Sequence, residues 1–526
     1  MAIRRRNFVL WLSIIAFLVA GCSPDVSVAP KNNVPAAIEE KAQQLIVDLK
    51  KQGYQVARGY PKLYTMDDCT YSFETMKSCY GNNPAAPYIM FAVPPWSEEF
   101  VDPATKLAWG PTDEGYDSSF RFDPHEAIVI FGILPPKAAY FGIQTYLFTR
   151  EGTFDKTSKQ YTIISKNFTP MLDYLFAMVP KNPKRVQAFS SLSNSNNNVV
   201  IESQSGAAFD QERFFIITPD QVMDSTVRKA LAKIAVAESN IFTEPIPSTM
   251  RIGLDEPADD FLTIIRYAMP YDNGEPGAPS DTWRKNPPLI ILRLRDTKSD
   301  RSSEPYGPAV LETRTAVDES FLAADLSNLV AEVSSKWGQP CVQEDCSDRA
   351  MKFIDLQSPP IHLVGPACTE IRMNCLGDTQ DTTYQATTNL PLDQGEIYAV
   401  VGALGTETGN AVYVGLSVND FGMLKGIGNI GSDTLKNTAM EYAGKVNNTD
   451  KLYVYYFTRD CTNLQTLTGG NCFSITETMI PSCSDPASPT CARLKLVQRE
   501  YIHQGTQRGP DSTLTLPPRL IKLIRK

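Results

Sequence analysis

The chain predicts an α+β fold dominated by antiparallel β-sheet, sandwich-like, with about three amphipathic helices packed on it. Two observations carry that prediction. From Tyr54 onward, short runs of β-branched and aromatic residues alternate with Pro/Gly/Asn/Asp clusters, as sheets and their turns do. Against that background, three stretches place apolar residues at helical spacing. Hydrophobic residues make up 42% of 526 positions, enough for a sizeable core and for two average domains or one large one.

The first helix is expected over residues 35–51, where Ala37, Ile38, Ala42, Leu45, Ile46 and Leu49 share a face and Gly53 closes the segment. Strands follow at 88–93, 127–134 and 140–148. The last two are separated by a connection too short for a crossover helix, so they are expected to pair antiparallel. The Ser- and Asn-rich residues 190–198 read as an exposed loop or an inserted arm. A strand at 214–217 runs into Thr218-Pro219-Asp220-Gln221, a capping-box pattern, and a second helix runs to about Ala237. Residues 301–307 are polar and mark a boundary. The third helix follows Asp318, with Leu322, Leu326, Leu329, Val330, Val333 and Trp337 on one stripe. Beyond it, residues 397–404 and 411–418 flank a glycine-containing turn and are expected to form a hairpin. The expected organisation is a leader at 1–21, a tether at 22–34, and two β-rich α+β units at 35–300 and 301–526, the second braced by disulfides.

The leader carries the most specific signal. Arg4, Arg5 and Arg6 precede an apolar run at residues 8–19, too short to span a bilayer, and Leu18-Val19-Ala20-Gly21-Cys22 follows. That ending resembles the lipobox of bacterial lipoproteins. The resemblance implies that Cys22 receives a diacylglyceryl group through sulfur and an N-acyl chain such as palmitate, anchoring the protein in a lipid bilayer. Ser23 rather than Asp at the next position implies the outer membrane in a Gram-negative source, and a cell-envelope location in general. The polar, proline-containing residues 23–34 read as the flexible tether between lipid and folded body.

The other ten of the 11 cysteines fall as neighbours: Cys69 and Cys79, Cys341 and Cys346, Cys368 and Cys375, Cys461 and Cys472, Cys483 and Cys491. An exported chain sits in an oxidising compartment, so nearest-neighbour disulfides are expected, each worth about 2–3 kcal/mol in the chain-entropy model. Zinc held by Cys341, Cys346, Cys368 and Cys375 is the weaker alternative, because the second pair has six residues between its members and no histidine stands beside either. No cofactor is expected. The acidic loops 112–117 and 255–260 offer oxygen ligands for calcium but match no EF-hand spacing. A formal charge of −9 argues against nucleic-acid binding, and it leaves attachment to the bilayer resting on the lipid at Cys22.

Catalytic patterns are sparse. Gly426-Ile-Gly428-Asn-Ile-Gly431 has dinucleotide-type glycine spacing but stands away from any strand-to-helix turn, so it reads as a turn. Of three histidines, His125 is the best general base, flanked by Asp123 and Glu126. Gly415-Leu-Ser417-Val-Asn419 lacks the second glycine of a nucleophile elbow. The expected function is a membrane-anchored envelope protein with a binding or structural role toward a protein or glycan ligand. The alternative is an exported hydrolase using His125 with Asp123 or Glu126.

Overall fold

A computed structural model describes residues 33–298, 302–340, 350–482 and 491–524. Cys22, Cys341, Cys346 and Cys483 lie outside the described residues, as do the leader and most of the tether.

The N-terminal strands are β1 (Tyr54–Leu63), β2 (Ile89–Ala92), β3 (Glu126–Ile133), β4 (Ala138–Glu151), β5 (Met178–Val179), β6 (Asn182–Ser191), β7 (Asn196–Asn197), β8 (Glu212–Thr218), β9 (Ile241–Pro245), β10 (Asp260–Pro270) and β11 (Leu289–Asp296). They form one eleven-stranded sheet in the order β5-β6-β4-β10-β2-β1-β11-β3-β8-β9, with β7 beside β4. All pairings are antiparallel except β8 with β9. β1 joins two arms of the sheet, pairing with β11 through Gly59 and with β2 from Tyr60 onward. Glycine at 59 lets the backbone of β2 come close, because a Cβ there would press within 2.5 Å of the Ala92 carbonyl oxygen. Both arms turn one face to a common core that includes Phe91, Ile130, Phe141, Phe215 and Phe261. Helices Ala36–Lys51 and Gln221–Lys233 cover the outer face of one arm, burying Ile38, Ala42, Leu45 and Leu49 from the first and Met223, Val227, Ala230 and Leu231 from the second.

The C-terminal strands are β12 (Ala350–Lys352), β13 (Ile354–Asp355), β14 (Thr382–Ala386), β15 (Glu396–Ala403), β16 (Tyr413–Asp420), β17 (Lys425–Gly431), β18 (Leu452–Thr458), β19 (Cys472–Ser474), β20 (Leu494–Tyr501) and β21 (Arg519–Ile524). They make two five-stranded sheets, β12-β21-β15-β18-β19 and β13-β14-β20-β16-β17. The sheets share a core between Val400, Tyr453 and Phe457 on one side and Val414, Leu416, Leu494 and Leu496 on the other. Helix Ala323–Lys336 covers the outer face of the first of these sheets through Leu326, Leu329, Val330 and Val333.

The α+β class and the largely antiparallel pairing are as expected, and the expected faces of the three long helices are the buried ones, except that Ala37 is exposed and the second helix stops at Lys233. Several expectations are corrected. Shorter helices, among them Asp68–Met76, Lys159–Asn167 and Thr169–Leu175, were invisible because so few turns carry little periodic signal. β3 and β4 do not pair; β3 lies between β11 and β8, and β4 between β10 and β6. β15 and β16 are no hairpin, for they belong to different sheets and residues 405–408 form a helical turn. Residues 190–198 are mostly buried rather than an exposed loop. The spaced glycines of 426–431 lie in strand β17 rather than in a turn. A Cβ at Gly426 would collide with the Asn82 carbonyl, and one at Gly428 with the Phe473 ring.

Disulfides join Cys69 to Cys79, Cys368 to Cys375 and Cys461 to Cys472, and Cys491 is also disulfide-bonded. Cys368 and Cys375 therefore offer no free thiolate to a metal. The carboxylates of Asp259 and Asp260, within the second acidic loop, are held by Arg150 and by Arg121 and Arg185. Among the described residues no cluster of His, Cys, Asp and Glu is placed to hold a metal ion, and no helix is long and apolar enough to cross a membrane.

Candidate ligand cavity

Strand β20 reads Leu494-Lys-Leu-Val-Gln-Arg-Glu-Tyr501. Its period of two sends Leu494 and Leu496 into the core between the C-terminal sheets. Lys495, Val497, Arg499 and Tyr501 consequently share the opposite face. On β16, paired in register, Asn419 stands across from Lys495 and Ser417 across from Val497. This face meets the N-terminal half of the chain. The contact is an apolar cluster, in which Ile164, Met171 and Leu175 pack on Leu363, Phe421 and Leu424, together with a stack of Tyr140, Tyr413 and Tyr501.

Along this seam lies a cavity of about 90 Å³. Its walls are mostly apolar: Met171, Leu356, Leu363, Leu376, Phe421, Leu424 and Val497. Tyr80, Asp378, Tyr384, Asn419, Lys495 and Arg499 supply the polar atoms.

Lys495 is the unusual member. It is 7% exposed, its Nζ donates to the Thr387 carbonyl at 2.8 Å, and it sits 5.0 Å from the centroid of the Phe421 ring. No carboxylate pairs with it among the described residues. Burial alone lowers its ammonium to about 7, because a desolvated cation without a counter-charge favours its neutral form. Opposite it, Asn419 donates through Nδ2 to the carbonyls of Ser417 and Lys495, while its buried Oδ1 has no partner.

Arg499, Asp378 and Tyr80 are engaged, the last donating to the Ala108 carbonyl at 2.8 Å. Arg499 donates to Ser417 Oγ and to the Gly81 carbonyl at 2.9 Å. Asp378 accepts from the Ser191 amide and hydroxyl, the Gly365 amide and Gln380 Nε2, at 2.7–3.0 Å. Burial pushes its carboxyl up to about 6 against those donors. Burial likewise raises the phenols of Tyr80 and Tyr384.

A larger cleft of about 390 Å³ is lined by Arg150, Arg251 and Arg372. Those cations are committed elsewhere: Arg150 pairs with Asp259, and Arg251 and Arg372 donate to the carbonyls of Glu151 and Thr153. The small cavity is distinguished by mostly apolar walls around a buried lysine that has no carboxylate partner among the described residues.

The residues singled out from sequence are not assembled into a reacting group. The His125 side chain is 27% exposed, with Nδ1 3.7 Å from Asp220 Oδ2. Asp220 is itself fixed as the N-cap of helix Gln221–Lys233. Asp123 Oδ1 accepts the His125 backbone amide at 2.9 Å, an Asx-type turn. Glu126 lies in the interior, where Oε1 pairs with Arg293 and Oε2 accepts from Trp96 Nε1 and the Asp123 amide. Its burial pushes it up to about 7, opposed by Arg293. The short path from 123 to 126 thus serves a turn, a surface contact and a core ion pair. Trp109 is buried and stacked on Tyr80.

Lys495 and Asn419 escaped the sequence reading because neither belongs to a motif. One signal was there: β20 carries polar residues on both faces, which a strand with a solvated side does not need and a strand buried on both sides does not normally tolerate.

No family model and no curated protein matches the chain. Among solved structures, the chain is similar to an uncharacterized protein from Burkholderia cenocepacia, at 8% identity and a TM-score of 0.37, over 93% of this chain and 87% of that one.

Proposed function

We propose that this is a lipid-anchored cell-envelope protein that binds a small ligand with an apolar part in the seam cavity, rather than an enzyme acting through His125. The observation that carries the binding role is the cavity itself: apolar walls around a buried lysine and an amide oxygen that, among the described residues, have no carboxylate partner and no donor respectively. Ligand pockets combine such walls with a few convergent polar atoms. The anchor rests on the lipobox resemblance at Cys22, and the disulfides suit an oxidising compartment.

Two experiments test the two parts. Xenon occupies dry apolar cavities without needing a polar partner. Xenon NMR on the protein should show saturable binding that Val497→Phe abolishes while the circular-dichroism spectrum is retained. Xenon binding unaffected by Val497→Phe would remove the cavity from consideration. For the anchor, Cys22→Ser should move the protein from the membrane to the soluble envelope fraction. Mass analysis of the wild-type N-terminus should find the acyl chains on Cys22, and an unmodified cysteine there would refute lipidation.

A further inference from the structure

We infer that the cavity selects a short-chain hydroxy monocarboxylate, with its carboxylate on Lys495 Nζ, its hydroxyl donating to Asn419 Oδ1 and its carbon chain against Met171, Leu363 and Phe421. The inference rests on the ligand-cavity reading above and adds the chemical class.

Charge comes first. A lysine ammonium has three N–H donors, and the structure assigns one of them, to the Thr387 carbonyl. The two other charged groups on the wall do not serve Lys495. Asp378 already accepts from Ser191, Gly365 and Gln380, and Arg499 is directed to Ser417 and Gly81. A buried ammonium with spare donors and no carboxylate partner among the described residues is complementary to an anionic group, and a carboxylate supplies acceptors for both of its free N–H bonds.

The second observation is independent of charge. Asn419 is 4% exposed and its Oδ1 is buried without a donor. An unsatisfied buried acceptor is costly, and a ligand O–H relieves it. Asn419 and Lys495 are directly paired across β16 and β20, which sets their side chains side by side on one face. One ligand can therefore meet both, provided its hydroxyl stands close to its carboxylate.

Size and lining fix the rest. The cavity, of about 90 Å³, is small, and most of its wall is apolar. That space holds a chain of a few carbons and not an aromatic or long-chain acid.

The test uses the full-length protein with 2-hydroxybutyrate and its neutral amide, 2-hydroxybutyramide, by isothermal titration calorimetry at pH 6. The acid is expected to bind at least tenfold more tightly than the amide. Lys495→Met should abolish that preference, and Asn419→Leu should remove the advantage of 2-hydroxybutyrate over plain butyrate. The wild-type affinity for the acid should fall as pH rises above about 7, where the free protein loses the ammonium. Of the other groups facing the cavity, the Asp378 carboxyl is pushed up to about 6 and adds repulsion in the same direction, whereas burial keeps the Tyr80 and Tyr384 phenols neutral over this range, and Arg499 stays directed to Ser417 and Gly81. Equal affinity for acid and amide, a preference that survives in Lys495→Met, or no binding of either would overturn the inference. In each case xenon binding, blocked by Val497→Phe, reports separately whether the cavity reading stands.

Discussion

A buried lysine without a counter-charge must show itself in stability as well as in binding. In the folded protein the Lys495 ammonium is lowered to about 7 from an ordinary 10.5. Between those values the unfolded chain holds a proton that the folded chain has released, so wild-type stability rises with pH across that window. Below about pH 7 the full penalty is present, and above 10.5 it is gone. Lys495→Met keeps the aliphatic stem and removes the charge. It should stabilise the protein at pH 6 by about 2–4 kcal/mol, an advantage that shrinks steadily as the pH approaches 10. Urea denaturation at several pH values measures this, and a variant less stable than wild type at pH 6 would show that Lys495 has a partner. At this scale the sequence was a poor guide. His125, Asp123 and Glu126 stand together in the chain, but the turn that precedes β3 sends them to different surroundings. Lys495 and Asn419 are 76 positions apart and meet only through the pairing of β16 with β20. Composition and spacing carry no information on such a register.

Elements were legible where their own periodicity sufficed and obscure where a partner decided. The buried stripes of helices Ala36–Lys51 and Ala323–Lys336 follow from spacing alone. The start of helix Gln221–Lys233 was misplaced: Thr218 and Gln221 suggested a capping box, but Thr218 ends β8 and Asp220 is the cap, accepting from the Val222 amide at 3.0 Å. Thr218 instead donates to the Glu126 carbonyl, a tertiary contact that local pattern cannot foresee. Asp220 has two further roles. The same Oδ1 accepts the Glu304 amide, and Oδ2 faces His125. Asp220→Ala should therefore cost more than an ordinary cap, about 2 kcal/mol against about 1. It should also raise hydrogen exchange both in the first turn of the helix and around Glu304. Exchange changes confined to the helix would mean that the Glu304 contact adds nothing.

At the scale of the molecule, the seam that forms the cavity is polar as well as apolar, and its polar part is concentrated at residues 378–381. Asp381 is fully buried and accepts from Tyr140 Oη at 2.9 Å and from Asn197 Nδ2 at 3.2 Å, both in the N-terminal half, and from Thr379 Oγ1 at 2.9 Å. Asp378 does the same for Ser191. This explains why residues 190–198, polar enough to resemble an exposed loop, are buried: their side chains supply the donors that these two aspartates require. It also predicts how the protein unfolds. The strands of the eleven-stranded sheet all come from residues 54–296 and those of the other two sheets from 350–524, so the seam is what couples the two sets. Asp381→Leu replaces the carboxylate by an apolar side chain and leaves Tyr140 Oη and Asn197 Nδ2 buried without their acceptor, at a cost of about 3–5 kcal/mol. That cost falls on the coupling and not on either set of sheets. Wild-type protein should unfold in urea as one transition by tyrosine fluorescence and circular dichroism alike. In Asp381→Leu the two probes should separate into two transitions, and ligand binding at the cavity should be lost at the first of them. A single transition merely shifted to lower urea would mean that the apolar contacts of Met171, Leu363 and Phe421 couple the halves without help from the buried carboxylates.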